Sequence, residues 1–225
     1  MKALSFAALL VLSSAPLVAQ TPAAAVPAAP AAPAAAPATQ THSSAIGFSY
    51  SIPADWQVVD TKPSLPAVQQ QAVKDATTDE EKKGIACVEI PLTARHGTPA
   101  SVIVAVALPF DCFGQTMTDK DLPGFAASAS EGLKKSFELS EPVHGAYSLG
   151  THSVWIERTS GSPIGHPEVK YTVETVCSVL KKGTVCWMAM TADADALETF
   201  EHGAVALDGE PPAALVPAEA FQKKP

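Results

Sequence analysis

The stretch VKYTVETVCSVLKKGTVCWMAMT, residues 169–191, decides the fold. It reads as two strands, Val169–Leu180 and Thr184–Thr191, rich in β-branched and aromatic residues and joined at Lys181-Lys182-Gly183. An even-length turn at that junction places Cys177 and Cys186 directly opposite each other. Working outward, Val102–Leu108 (VIVAVAL) is apolar throughout. A strand of that kind belongs in the middle of a sheet with both faces covered. Ala146–Leu149 and Ser153–Thr159 read as further strands. Ile46–Ile52 alternates apolar with small or polar residues, and after Pro53-Ala54-Asp55 the pattern resumes at Trp56–Val59.

Helices are interspersed singly among these strands. Pro66–Ala76, opened by Ser64, carries a thin apolar stripe of Val68, Ala72 and Val73. Thr78–Gly84 places acids first, bases last and glycine at the end, as a short solvated helix does. Asp119–Phe137 carries Leu122, Phe125, Ala126, Ala129, Leu133 and Phe137 on one face at three- and four-residue spacing. A last helix is expected from Asp193 or Asp195, with Glu198 completing a capping box and Leu197, Phe200, Ala204 and Leu207 turned inward. The expected class is therefore α+β: a single domain in which an antiparallel sheet has helices packed on both faces, an α/β/α sandwich.

The ends of the chain have a different character. Residues 1–19 have the three parts of a secretory signal: Lys2, the apolar Ala3–Leu12 and the small-residue site Leu17-Val18-Ala19. Residues 20–44 read as an Ala/Pro-rich disordered linker, since 16 of the 21 residues from Thr21 to Thr41 are alanine or proline. The folded domain is expected over 45–208, with 209–225 a loose tail. The chain is therefore read as exported, to the periplasm or beyond, with no transmembrane segment after signal cleavage.

In an exported chain the four cysteines, Cys87, Cys112, Cys177 and Cys186, read as two disulfides. The hairpin registers favour Cys177–Cys186 and, through an Ile85–Thr93/Ser101–Phe110 hairpin, Cys87–Cys112. No CxxC spacing supports zinc, and no local histidine supports Cys112 as a nucleophile.

The composition also excludes functions. With 15 Lys+Arg against 23 Asp+Glu, a net charge of −8, and Arg95 and Arg158 the only arginines, a nucleic-acid partner is not expected. There is no asparagine, hence no N-glycosylation site. No G-x-G-x-x-G or P-loop pattern occurs, and no cofactor is expected. Ala146-Tyr147-Ser148-Leu149-Gly150 misses the serine-hydrolase elbow by one residue, although Asp195 and His202 follow in the right order. An extracytoplasmic hydrolase whose residues meet only in three dimensions is therefore the alternative function.

His42, His96, His144, His152, His166 and His202 lack ligand spacing, though His96, His144 and His152 could converge in space. Asp193 and Asp195 lack the glycine of a calcium loop and read as helix caps. Asp119, Asp121 and Glu131 form a candidate acid group that capping also explains. The Gly/Pro-rich segment Ser160–Pro167 reads as a loop available for a partner.

The opening Gly47-Phe48, Pro53 and Trp56, followed by helix, hairpin, long helix, meander and final helix, resembles the Mog1/PsbP-like domains over Ile46–Leu207. That resemblance implies a compact α/β/α sandwich acting as a noncatalytic binding or assembly partner, and the Ala/Pro spacer and disulfides point to an envelope protein or cell-wall component as what it binds. The family shares no catalytic motif, so the resemblance transfers no functional residue. The two expected disulfides depart from the family pattern.

Overall fold

The computed structural model describes residues 39–97, 100–192, 197 and 204–218. Residues 1–38, which hold the expected signal and most of the expected linker, lie outside the described residues. The residue 169–191 stretch forms β9 (Tyr171–Leu180) and β10 (Gly183–Thr191), turned by Lys181 and Lys182 alone. Gly183 belongs to the strand rather than the turn. A Cβ there would stand 2.4 Å from Ile46 Cδ1 and 2.6 Å from the carbonyl oxygen of Leu108, so only glycine lets the three segments meet this closely.

Around this hairpin, nine of the described strands build one antiparallel sheet. The others are β3 (Gln57–Val58), β4 (Glu89–His96), β5 (Ser101–Pro109), β6 (Phe137–Leu139), β7 (Val143–Leu149), β8 (His152–Pro163) and β12 (Leu215–Pro217). The order is β12-β7-β8-β9-β10-β5-β4-β3, with β6 pairing β8 off that path. The apolar β5 lies between β10 and β4, as its composition demands.

Alternation along the strands sorts the core into two layers. Ile103, Ala105, Ala107, Val176, Val185 and Trp187 face one side, where they join Phe48, Tyr50 and Ile52 in one cluster. Val104, Leu108, Val173, Cys177, Cys186, Met188 and Met190 face the other, toward the helices. In β4 the pairing shifts by one residue between Glu89 and Leu92. Pro91, which has no N–H to donate, sits in that bulge. Ile90 and Leu92, two apart, therefore pack on opposite sides of the sheet.

The helical layer contains α1 (Leu65–Asp75), α2 (Asp79–Cys87), α3 (Phe110–Phe113) and α4 (Leu122–Leu133), the last preceded by a 3-10 turn at Asp119–Asp121. Helix α2 opens with a reciprocal capping box between Thr78 and Glu81. It runs past the expected stop at Gly84, because Gly84, Ile85 and Cys87 are all buried. The expected strand from Ile85 is thus the end of a helix, and β4 begins at Glu89. The long helix expected to Phe137 ends at Leu133. Phe137 is instead the first residue of β6, buried edge-on to Tyr171 at 6.0 Å.

The opposite face is covered by a second sheet of β1 (Thr39–Ser43), β2 (Phe48–Pro53) and β11 (Val205–Leu207), in the order β1-β2-β11. The expected final helix lies mostly outside the described residues. Leu197 packs against this cluster, but Val205–Leu207, expected to finish that helix, form a strand. The class is α+β, with helices packed on an antiparallel sheet. Strand pairing reaches beyond the expected limits of 45 and 208 at both ends. The Ala/Pro repeat stops at Ala38, and TQTHS (residues 39–43) has the alternation and threonine content of a strand, pairing Thr39 with Pro53 through Ser43 with Ser49. In the supposed tail, Leu215 packs against the small-sheet core and β12 pairs with β7.

Candidate functional site

The sulfurs are bonded as Cys87–Cys112 and Cys177–Cys186, with Cα separations of 5.6 and 4.1 Å. Cys177 and Cys186 are direct cross-strand partners in the β9–β10 register. Cys87, Cys177 and Cys186 belong to one buried cluster under the helices, and no thiol is free. Two such bonds belong to an oxidising compartment.

The expected catalytic candidates do not assemble. Ser148 lies within β7, where its hydroxyl donates to the Val216 carbonyl at 3.4 Å, and a strand follows rather than the helix an elbow requires. Asp193, Asp195 and His202 lie outside the described residues. Asp121 accepts from the N–H and the hydroxyl of Thr118, both at 2.9 Å, and those hydrogen bonds hold its carboxyl below the usual range. Glu131 pairs with Lys134 at 2.7 Å.

The histidines are dispersed. His96 stacks on Trp56 and meets Asp55 at 3.0 Å at one end of the sheet. His152 lies at the other end, and His144 faces the helical side. His42 faces inward opposite Tyr50, with its Nε2 buried and lacking a hydrogen bond. His166 pairs with Glu168. Among the described residues no group of histidines, cysteines and carboxylates could hold a metal ion. The expected Ser160–Pro167 loop is shorter than its composition suggested. Ser160–Pro163 continue β8, and Gly161 admits β6 closely: a Cβ would lie 2.7 Å from the Glu138 carbonyl oxygen.

What remains distinctive is the β7–β12 edge of the large sheet, a feature that sequence reading passed over. A latch holds β12 in place. The N–H and hydroxyl of Thr151, in the β7–β8 turn, both donate to Glu210, and these bonds depress the Glu210 carboxyl below its ordinary range, with His152 and Lys181 adding to the effect. His152 Nε2 stands 3.7 Å from Glu210 and 3.8 Å from Asp208. Asp208 adopts left-handed backbone (φ 50°), donates its N–H to Gly47 and accepts from the Lys181 N–H. A Cβ at Gly150 (φ 61°) would stand 2.7 Å from Glu210 Oε2, so glycine is needed there both for its conformation and for room.

The latch covers only the upper part of β7. β12 pairs with Tyr147–Leu149, and the Ala218 N–H reaches the Ala146 carbonyl. Below that point Val143–Gly145 has no strand on its outer side among the described residues. Val143 is 76% exposed and Val216 50% exposed, so apolar side chains stand on both parts of this edge. On the small-sheet face beside Val143, Arg158 Nε bonds Glu174 at 3.0 Å. Tyr50 lies within the field of Glu174, and burial first, then that carboxylate, drives its hydroxyl pKa far upward.

No family model and no curated protein matches the chain. Among solved structures, the solution structure of cyanobacterial PsbP (CyanoP) from Synechocystis sp. PCC 6803 is similar at 12% identity and a TM-score of 0.40, covering 76% of this chain and 89% of that one. Among the described residues no helix is long and apolar enough to cross a membrane.

Proposed function

We propose that the chain is an exported, noncatalytic binding or assembly module, held on an Ala/Pro spacer, that engages an envelope partner through the lower edge of β7. The observation that carries this reading is the outer edge at Val143–Gly145, where no described strand lies and Val143 is 76% exposed. Uncovered edges invite pairing with another chain, and soluble proteins usually blunt them with charge, proline or a covering segment. Here the upper half is blunted by the three-residue, Pro217-bearing β12, while the lower half carries valine. An added strand would gain main-chain hydrogen bonds from β7 and apolar contact at Val143. The disulfides support residence outside the cytosol.

The test uses the mature chain from residue 20 as bait in envelope extract beside a Val143→Lys variant, which keeps the fold but charges the edge. Wild-type bait should enrich a species that the variant loses. Identical recovery by both, or no species above background, overturns the reading.

A further inference from the structure

β12 is aimed along the open part of its neighbour. It pairs with β7 as Leu215 with Leu149, Val216 with Ser148 and Pro217 with Tyr147, and the Ala218 N–H donates to the Ala146 carbonyl at 3.2 Å. Hydrogen-bonded pairs alternate along an antiparallel ladder, so Ala218–Ala146 is such a pair and Pro217–Tyr147 is not. Pro217 therefore lacks an N–H only where β7 asks for none, and it does not stop the strand. The described residues end at Ala218, and the sequence continues as EAFQKKP, residues 219–225.

The same register carried onward sets Glu219 opposite Gly145, Ala220 opposite His144 and Phe221 opposite Val143. Ala220–His144 is then the next hydrogen-bonded pair, and it would give the outward N–H and carbonyl of His144 the partners that no described strand supplies. Phe221–Val143 is a pair of the other kind, in which the Cα atoms stand only about 4.5 Å apart and the side chains meet on one face. An aromatic ring would thus cover the valine that is 76% exposed. Two residues further, Lys223 falls opposite Glu141. That end of the edge is acidic, with Glu131, Glu141 and Glu157 all acting on Lys134, and the segment brings two lysines to it.

We propose that residues 219–225 of the chain itself continue β12 along the lower edge of β7, and that the envelope partner binds by displacing them. Register, the Phe221–Val143 contact and charge all favour this occupant. The segment is tethered at Ala218, one residue from the open edge, so its docking is intramolecular and loses no translational freedom. Docking is nonetheless shallow. One hydrogen-bonded pair, one ring contact and exposed charges work against the entropy of ordering the segment. A longer strand that pairs with β7 can therefore take its place. The displacement rests on the edge reading given above, whereas the docking does not.

The test compares the mature chain from residue 20 with the same chain ended after Ala218 and with Phe221→Ser at full length, by amide hydrogen exchange corrected for intrinsic rates. The His144 amide should exchange about threefold or more slowly in the mature chain than in the shortened one, and Phe221→Ser should remove most of that protection. Equal exchange at His144 in the two chains, or protection that Phe221→Ser leaves intact, overturns the docking. Protection that grows with protein concentration assigns the edge to a second copy and overturns the intramolecular placement. In envelope extract the shortened bait should recover more of the species that Val143→Lys loses, and equal or lower recovery overturns the displacement. Should Val143→Lys lose nothing while the His144 difference persists, the edge reading and the displacement fail and the docking stands. Exchange within the β9–β10 hairpin reports whether the shortened chain keeps its fold, and Phe221→Ser, which keeps the chain length, keeps the test decisive should shortening loosen β12.

Discussion

Gly183→Ala adds one methyl group at the most crowded point of the molecule. Its Cβ would come within 2.4 and 3.0 Å of the Ile46 side chain and 2.6 Å of the Leu108 carbonyl oxygen. Ile46 can rotate away, but the oxygen belongs to β5, which pairs with β10 at this level and cannot retreat without disturbing the ladder. Overpacking of this kind costs about 1–3 kcal/mol. Against that, replacing glycine in a strand recovers roughly 0.5–1 kcal/mol of backbone entropy. The net expectation is a loss of about 1–2 kcal/mol, or roughly 2–8 °C in Tm for a domain of this size. Gly124→Ala, early in α4 with nothing within 4 Å of the added carbon, should instead be neutral or stabilising by up to about 1 kcal/mol. Urea and thermal unfolding of the two variants, with disulfides intact, measure the difference. Ile46→Val, which deletes the closest atom, should recover part of the Gly183→Ala loss in the double variant while leaving the clash with Leu108. An unchanged or raised Tm for Gly183→Ala would refute the close-approach argument, whatever Gly124→Ala does.

Three further outcomes follow from named contacts. Chain entropy ranks the disulfides: separations of 9 and 25 residues correspond to about 2.6 kcal/mol for Cys177–Cys186 and about 3.5 kcal/mol for Cys87–Cys112. Paired Cys→Ala variants compared by denaturant midpoint should therefore show the larger loss at Cys87/Cys112, and the reverse order would mean that packing at Cys177 outweighs loop closure. Thr78→Ala breaks the α2 capping box and should cost about 1 kcal/mol in the same assay. The Glu210 carboxyl is depressed in the folded state, so its stabilisation of the latch is complete above its unfolded value near 4.5 and is lost as pH falls through the lower folded value. Amide exchange at Leu215 and Val216, corrected for intrinsic rates, should accelerate across that window, and Glu210→Gln should abolish the dependence.

The sheet was legible because its information is local. The β9–β10 hairpin carries β-branched residues up to a Lys-Lys turn, and β5 is apolar at every position that two covering layers require. Boundaries failed where tertiary contacts overrode local signals. Gly84 looks like a helix stop, but its burial lets α2 continue to Cys87. Phe137 keeps the helical spacing of Leu133, but it is buried against Tyr171 as the first residue of β6. TQTHS at 39–43 was hidden by the Ala/Pro repeat before it. The β7 edge has no sequence signature, because its members come from β7 and the distant β12, and only the register brings them together.

The placement of sulfur follows from how little the first two helices bury. In α1 only Ala72 is fully buried, and in α2 only Gly84, Ile85 and Cys87 are. Burying so few carbons cannot offset the entropy of ordering twenty residues. Gln69 helps by donating to the Ile85 and Val88 carbonyls at 3.0 and 2.9 Å, which ties α1 to the end of α2. Cys87, in that same last turn, then bonds Cys112 of α3, so one covalent link restrains the end of both helices. The opposite face needs no such link. There Phe48, Tyr50, Ile52 and Trp187 are almost wholly buried, and Phe48 stands 5.7 Å from Trp187. The two layers are thus held by different physics, large apolar surface on the small-sheet side and sulfur on the helical side. Only the helical side depends on an oxidising compartment for its integrity.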